Sequence, residues 1–375
     1  MFTTKKIAVV SVINDLVTDN RVNKSCLTLM ECGYDVVLIG RELPNSLPIK
    51  NWPFATERMR LLFLKGPLFY FFFNFRLFFK LLFKKADLLF SNDLDTLLPN
   101  YWVSKIKSIP LIYDSHELFC EVPELLNAPF KQKIWLKVEK SIVPKLKSCI
   151  TVNDSIANIF EEKYKVKFQA IRNIPVTVEN FKPLSKEQLG LPLDKKIILL
   201  QGAGINVDRG AEELVDAMKF VDNALLLIIG GGDCWDILQK KVKDQDLWKK
   251  IILIDKMPKL QLMSYTFNAD LGISIDKNTN LNYYYSLPNK IFDYLQAGVP
   301  ILATRLPEIE NIISAYQAGI FIEDHQPETI AKAIEKLLSS EQTLLEYKQN
   351  TKIAARELNW EKEKQKLISI IKQVA

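Results

Sequence analysis

Short apolar runs alternating with longer stretches of helical spacing limit what this 375-residue chain can fold into more than any other feature. The first six are KIAVVSVI, YDVVLIG, ADLLFSND, PLIYDSHE, SCITVND and QAIRNIP. After a connector containing Pro and Lys near residues 182–195, six more follow: KIILLQG, ALLLIIGGG, KIILIDKMP, ADLGISI, VPILAT and GIFIE. A strand apolar on both faces must be covered on both faces, which is the condition of a parallel sheet between layers of helices. Strand–helix alternation in two comparable blocks therefore predicts an α/β protein of two Rossmann-like, doubly wound domains facing a cleft, with ligands at the carboxyl ends of the strands. The length suits two domains, each able to bury its own core. The expected division is 1–185, 186–355 and an amphipathic helix at 356–375, whose domain the residues alone do not assign.

Charge separates the halves. Residues 1–185 carry 26 Lys and Arg against 18 Asp and Glu, and the remainder carries 24 against 26. A basic half suits nucleic acid or an anionic membrane face, but no zinc-finger, helix-turn-helix or aromatic RNA-binding signature accompanies the lysines. Membrane is the better expectation and nucleic acid is not expected. Five cysteines without paired or metal-like spacing and two histidines exclude a disulfide framework and a Cys/His zinc site, and point to a reducing cytoplasm. The N-terminal MFTTKKIAVVSVIND reads as a first strand: its apolar run is short and meets Asn14 and Asp15 at once.

Residues 59–90 depart from the rhythm with a high density of Phe and Leu. Lys65, Arg76, Lys80, Lys84 and Lys85 interrupt the stretch too often for a good transmembrane span. Two readings stand together: a core helix before the next strand, and a basic, aromatic surface over residues 59–85 that touches anionic lipid.

Chemistry concentrates in the second half. In SLPNKIFDYLQAGVPILAT (286–304), Ser286 is a good N-cap, Pro288 suits a first turn, Ile291, Phe292 and Leu295 mark a buried face, and Gly298 stops the helix. The segment Leu287, Pro288, Asn289 and Lys290 opens the helix, and the free amides of that N-terminus, with the lysine charge beside them, form an anion site best matched to phosphate. Lys290 and Asp293 alternatively form an exposed i,i+3 pair on an ordinary helix. In LLQGAGINVDRGAEELVDAM, Gly202 and Gly204 precede Arg209 between a strand and a helix, which suits a phosphate cradle or a plain turn. Two cationic loops and an acid at the strand ends of one domain favour a nucleoside diphosphate.

These two motifs, together with SNDLDTLLPN and YDSHELFCEVPEL, resemble the corresponding motifs of the retaining GT-B glycosyltransferases of family four, in an order covering nearly the whole chain. The resemblance implies donor binding by the C-terminal domain, acceptor binding by the N-terminal domain and a final helix that crosses back. It places Arg209 on the donor diphosphate, Asp293 on the ribose, Met257 and Pro258 beside the base, and His116 against the donor sugar. Taken alone, His116 reads by default as an ordinary satisfied or exposed histidine, and only the resemblance reverses that reading. Asn173 and Pro175 match the segment before the interdomain connector. Asp93 and Asp95 match the family's helix-start motif rather than a donor-side D-x-D, so no metal is implied.

Three departures stand out. Tyr285 falls where the first glutamate of the family's E-x7-E motif belongs, Ala203 lies near the usual arginine, for which Lys290 substitutes, and INDLVTDNRV replaces the Gly-rich acceptor loop. The last change puts Asn14, Asp15 and Arg21 on the acceptor side. The implied activity is metal-independent, retaining transfer of a sugar from a nucleotide-sugar to a glycan or lipid-linked acceptor in cell-surface polysaccharide synthesis, at the cytoplasmic face of the membrane. The alternative is a catalytically silent GT-B subunit that partners another glycosyltransferase. A dinucleotide oxidoreductase lacks G-x-G-x-x-G after the first strand, and an epimerase would need more acid–base groups.

Overall fold

The computed structural model describes residues 5–44, 46–49, 51–178 and 180–374, so the first four residues of the N-terminal motif and Ala375 of the final helix lie outside the described residues. Two compact units result: Met1–Asn173 with Glu361–Ala375, and Ile174–Trp360.

The first unit holds β1 (Lys6–Asp15), β2 (Tyr34–Glu42), β3 (Ala55–Arg60), β4 (Leu88–Asn92), β5 (Leu111–Ser115), β6 (Ser148–Thr151) and β7 (Phe168–Ala170). They form one sheet in the order β3-β2-β1-β4-β5-β6-β7, parallel at every pairing. Strand β3, ATERMR, was not expected. It lies at the sheet edge with only Met59 buried, so an edge strand open to water keeps Glu57, Arg58 and Arg60 and loses the apolar signal. The run QAIRNIP contributes only Gln169 and Ala170 to β7.

The Phe-rich stretch holds the helix Gly66–Phe83, long and apolar enough to cross a membrane by length and composition alone. Phe69, Phe73, Leu77 and Leu81, four residues apart, are buried in the unit and define a docked face. Phe71, Phe75, Phe79 and Phe83 form a second row at 60%, 52%, 40% and 81% exposure, with successive ring centroids 6.0, 4.9 and 6.2 Å apart. The helix is thus a core element that leaves an aromatic ladder in water. Of its cations, Lys80 and Lys84 each reach Glu57 at 2.6 Å.

The second unit contains the six strands expected: β8 (Lys196–Gly202), β9 (Ala224–Gly230), β10 (Ile251–Asp255), β11 (Leu271–Ser274), β12 (Ile301–Ala303) and β13 (Gly319–Phe321), parallel in the order β10-β9-β8-β11-β12-β13. Alternate residues of β8 serve opposite cores. Ile198 and Leu200 pack with Leu214 and Leu238 in one apolar cluster, and Ile197 and Leu199 pack with Ile291 and Leu295 in another. That division is what a doubly wound sheet requires of its central strand.

The connector expected at 182–195 belongs to the second unit, and the division falls earlier, between Asn173 and Ile174. Ile174 and Leu191 are buried in the second unit's core, and Leu184 donates its amide to Ser264 Oγ at 3.2 Å and accepts from Asn268 Nδ2 at 2.7 Å. At the other end, the helix Trp360–Val374 joins the first unit from Glu361 onward. Leu367 and Ile371 are fully buried, Glu363 accepts from the Arg172 amide at 2.8 Å, and Lys364 pairs with Glu31 at 3.2 Å.

Candidate functional site

In the second unit the chemistry gathers at the carboxyl ends of β8 and β11. The helix Asn289–Ala297 starts directly after Pro288 (φ −65°, ψ 137°) and closes on Gly298 at φ 73°. Ser286 does not cap it as expected. Its hydroxyl donates to Tyr283 O at 2.8 Å and closes the preceding Leu281–Tyr284 helix, because a residue before proline is pushed out of the helical region and Leu287 cannot extend the turn backwards. Tyr294 pins the helix to the sheet: its hydroxyl donates to Leu199 O at 2.9 Å, and its ring lies where a side chain on Gly272 would stand, 2.6 Å from an added Cβ.

Lys290 and Asp293 are thereby carried onto the strand ends. Lys290, 12% exposed, places Nζ 3.8 Å from Asp276 just beyond β11. Burial lowers the pKa of Lys290, and Arg209 adds to this, against the pull of Asp276. Asp293 accepts from Gln201 Nε2 at 3.0 Å, and Gln201 Oε1 accepts from Thr266 Oγ1 at 2.7 Å. Gln201, Thr266 and Asp293 line one pocket with Lys259, Met263 and Gln296. Met257 and Pro258 immediately precede the helix Lys259–Phe267, Met257 packs on the core, and neither is in the wall of that pocket.

Arg209 comes from the loop after β8. Gly210, at φ 75°, sits so close to Ile275 O that any Cβ would clash, and the Lys277 amide donates to Asp208 O at 2.8 Å. The two loops are therefore joined. Arg209 Nη1 lies 3.4 Å from Asp276 Oδ1, and its guanidinium stacks 4.1 Å over the Tyr283 ring. Gly202 and Gly204 have no crowding that demands glycine: an added Cβ would meet nothing nearer than 3.6 Å and 3.5 Å. Leu287 and Tyr284 each pack against the core, and the Tyr284 ring meets that of Tyr285 at 4.7 Å. Asp276 and Gln201 were missed in the sequence, although each ends an apolar run, where ligands of open α/β sheets collect.

The first unit builds a separate constellation around His116. Its amide donates to Asp93 Oδ1 at 2.8 Å, Nδ1 lies 3.2 Å from Asp93 Oδ2, and Nε2 lies 3.2 Å from Asn92 Oδ1 and 3.5 Å from Asp114 Oδ2. Asn92 Nδ2 donates to Ser11 O at 3.0 Å, so its amide oxygen is the end turned to the ring. Acceptors at both nitrogens call for an imidazolium. Burial opposes the charge, but the Asp93 and Asp114 carboxylates outweigh it and push His116 up to about 10. Asp93 stands at the start of the helix Leu94–Lys107 with φ 58°, its carboxylate given to His116 rather than to a cap. Burial drives the Asp95 carboxyl well above its ordinary value.

The residues expected on the acceptor side are dispersed. Asn14 is exposed and donates to Asp19 at 3.3 Å, Asp15 pairs with Arg58 at 3.2 Å, and Arg21 is buried in a bidentate pair with Asp114. Asn173 accepts from Lys24 Nζ at 2.8 Å, and Pro175 O accepts from Gln296 Nε2 at 3.0 Å.

Two doubly wound parallel-sheet units, one with a pair of cations and acids at its strand ends, define the GT-B class of glycosyltransferase. Two family models agree: Glycosyl transferases group 1 matches residues 181–357, and Glycosyltransferase Family 4 matches residues 24–179. The chain belongs to the group 1 glycosyltransferases. It is 22% identical to D-inositol 3-phosphate glycosyltransferase of Corynebacterium glutamicum over 186 residues, 47% of this chain and 43% of that protein, so the match spans about half of each. Among solved structures it resembles sucrose-phosphate synthase from Thermosynechococcus elongatus (TM-score 0.79, 17% identity, 99% of both chains). It also resembles Anabaena Alr3699/HepE in complex with UDP and glucose (TM-score 0.72, 14% identity, 98% of this chain and 100% of that one).

Proposed function

We propose that this protein moves a sugar from a nucleotide-sugar to a glycan or lipid-linked acceptor, with retention of anomeric configuration and without a metal, at the cytoplasmic face of a membrane. The observation that carries the reading is the convergence of Arg209 and Lys290 on one strand end, with Asp293 one helical turn beyond Lys290. Two fixed cations beside the amino end of a helix suit a diphosphate, and the charge that develops on the departing diphosphate is what they would stabilise. Asp293 would accept from ribose hydroxyls. His116, held as an imidazolium, would serve as a donor or a fixed positive charge toward the sugar rather than as a base.

The UDP named in the Anabaena structure makes a uridine donor the first to test. The membrane part of the reading rests on the exposed aromatic row of the Gly66–Phe83 helix. Phe75, Phe79 and Phe83 line an open groove of about 600 Å³ with Arg76, Lys80, Lys84 and Glu57. Aromatic bulk beside cations suits the interface of an anionic bilayer.

A thermal-shift screen of UDP-, GDP- and ADP-sugars tests the donor site, since a ligand at 100 times its dissociation constant adds about 2.7 kcal/mol of stability. Proton NMR of the product's anomeric signal with the selected donor, with and without chelator, tests retention and metal independence. No shift with any nucleotide-sugar, or an inverted product, would sink the corresponding part of the reading.

A further inference from the structure

Asp276 is the feature of this site that a simple anion cradle does not explain. It is 0% exposed, and among the described residues neither of its carboxylate oxygens has a hydrogen-bond partner. Its two cationic neighbours stand off at 3.4 Å (Arg209 Nη1) and 3.8 Å (Lys290 Nζ), close enough for attraction and too far or too poorly aligned to donate. Arg209 is occupied from another side by the Tyr283 ring, and its Nε is buried without a partner. The loops are joined at Gly210 and at Lys277, so the distances are set by backbone rather than by the ion pairs. A buried carboxylate of this kind is costly to keep, and a site built only to attract a diphosphate would do without it.

We propose that Asp276 is an electrostatic brake on diphosphate binding, leaving the Arg209–Lys290 site with a single net positive charge so that the diphosphate is released after transfer; this rests on the reading of the site as diphosphate-binding. A nucleoside diphosphate carries one more negative charge than its sugar ester, on the terminal phosphate that the sugar has left. Two unopposed cations in a partly buried site would hold that product most tightly, and the carboxylate penalises the extra charge more than it penalises the donor. Asp276 also draws Lys290 toward its charged form against the effect of burial. It can therefore moderate affinity without removing the charge from Lys290.

Inorganic pyrophosphate is the probe, because it tests the two cations without requiring the correct base or sugar. Its affinity for the full chain would be measured by titration calorimetry at fixed salt in the wild type, Asp276→Asn, Lys290→Gln and the double variant. Asp276→Asn should bind at least about tenfold more tightly, Lys290→Gln more weakly, and the double variant, with the wild-type net charge, within about threefold of the wild type. Unchanged or weaker binding by Asp276→Asn would make the residue an anchor for the cations and overturn the proposal. If Asp276→Asn does not fold, Lys290→Gln against the double variant decides: no recovery in the double variant overturns it. Absence of pyrophosphate binding in every folded protein does so as well. The predicted pyrophosphate shifts without binding of any nucleotide-sugar would keep the brake and remove the glycosyl-donor reading.

Discussion

Arg21 and Asp114 form a buried bidentate pair in the first unit, Nε to Oδ2 at 2.9 Å and Nη2 to Oδ1 at 2.7 Å, with side chains 5% and 0% exposed. Arg21 Nη1 also donates to Ile171 O at 2.6 Å, so one guanidinium ties the helix Asn20–Glu31 to the end of β5 and to the chain after β7. The carboxylate it holds is the one 3.5 Å from His116 Nε2. A residue placed on the acceptor side by its position after the first strand is thus part of the frame that charges the histidine.

Replacing Arg21 with Met should destabilise the first unit strongly, because it leaves Asp114 charged, buried and without its main partner. A loss of about 3–5 kcal/mol is expected for breaking a buried pair in this way. Urea denaturation followed by fluorescence measures it. A loss under about 1 kcal/mol, the range of an exposed pair, would return Arg21 to the role of a ligand contact.

The His116 constellation should show in the pH dependence of stability. The histidine is raised from 6.5 to about 10, so its contribution is complete below about pH 6.5 and is lost as pH rises through about 10. The difference in melting temperature between the wild type and His116→Gln should therefore be widest at about pH 6.5 and narrow steadily toward pH 10. Asp114 works in the opposite sense on the acid side: Arg21 and His116 outweigh burial and hold it at about 2 against the ordinary 3.8, so its contribution fades as pH falls through that window. A difference that closes near pH 6.5 instead would mean an ordinary, neutral histidine.

Arg209→Ala and Lys290→Ala should each weaken donor binding and lower turnover. A charge-assisted hydrogen bond is worth roughly 1.5–3 kcal/mol, which corresponds to about tenfold to 150-fold in affinity. Calorimetric titration with the nucleotide-sugar selected by the thermal-shift screen, together with steady-state kinetics, measures both effects. Wild-type kinetics in both variants would remove the diphosphate from this strand end.

Liposome sedimentation tests the aromatic ladder. Phe75→Ser combined with Phe83→Ser should release the full chain from vesicles containing phosphatidylglycerol, with little effect on melting temperature, since the two rings are 52% and 81% exposed. Changing Arg76, Lys80 and Lys84 to Gln should weaken binding mainly at low salt, and by less than the roughly 1 kcal/mol each that free surface cations give, because Glu57 already holds two of them. Sedimentation that is insensitive to the serine pair would leave this helix a core element and nothing more.

The amino-acid sequence determined on its own what depends on local apolar pattern. All six strands of the second sheet, the stop at Gly298 and the buried face of Ile291, Phe292 and Leu295 were legible because burial on both sides of a parallel strand, or on one side of a helix, is written in consecutive residues. Arg209 and Lys290 were legible because glycine, proline and a cation at a strand-to-helix turn carry their own backbone chemistry.

Only the tertiary structure decided what depends on residues far apart in the chain. The edge strand β3 loses its apolar signal because one side of it faces water, and the connector joins the second unit through Ser264 and Asn268. Arg21 finds Asp114 across 93 positions, and Asp276 stands between Arg209 and Lys290 only because the sheet brings those strand ends side by side. An ion pair has no periodicity to read. Its energy comes from burial and from distance in space, and the fold alone sets both.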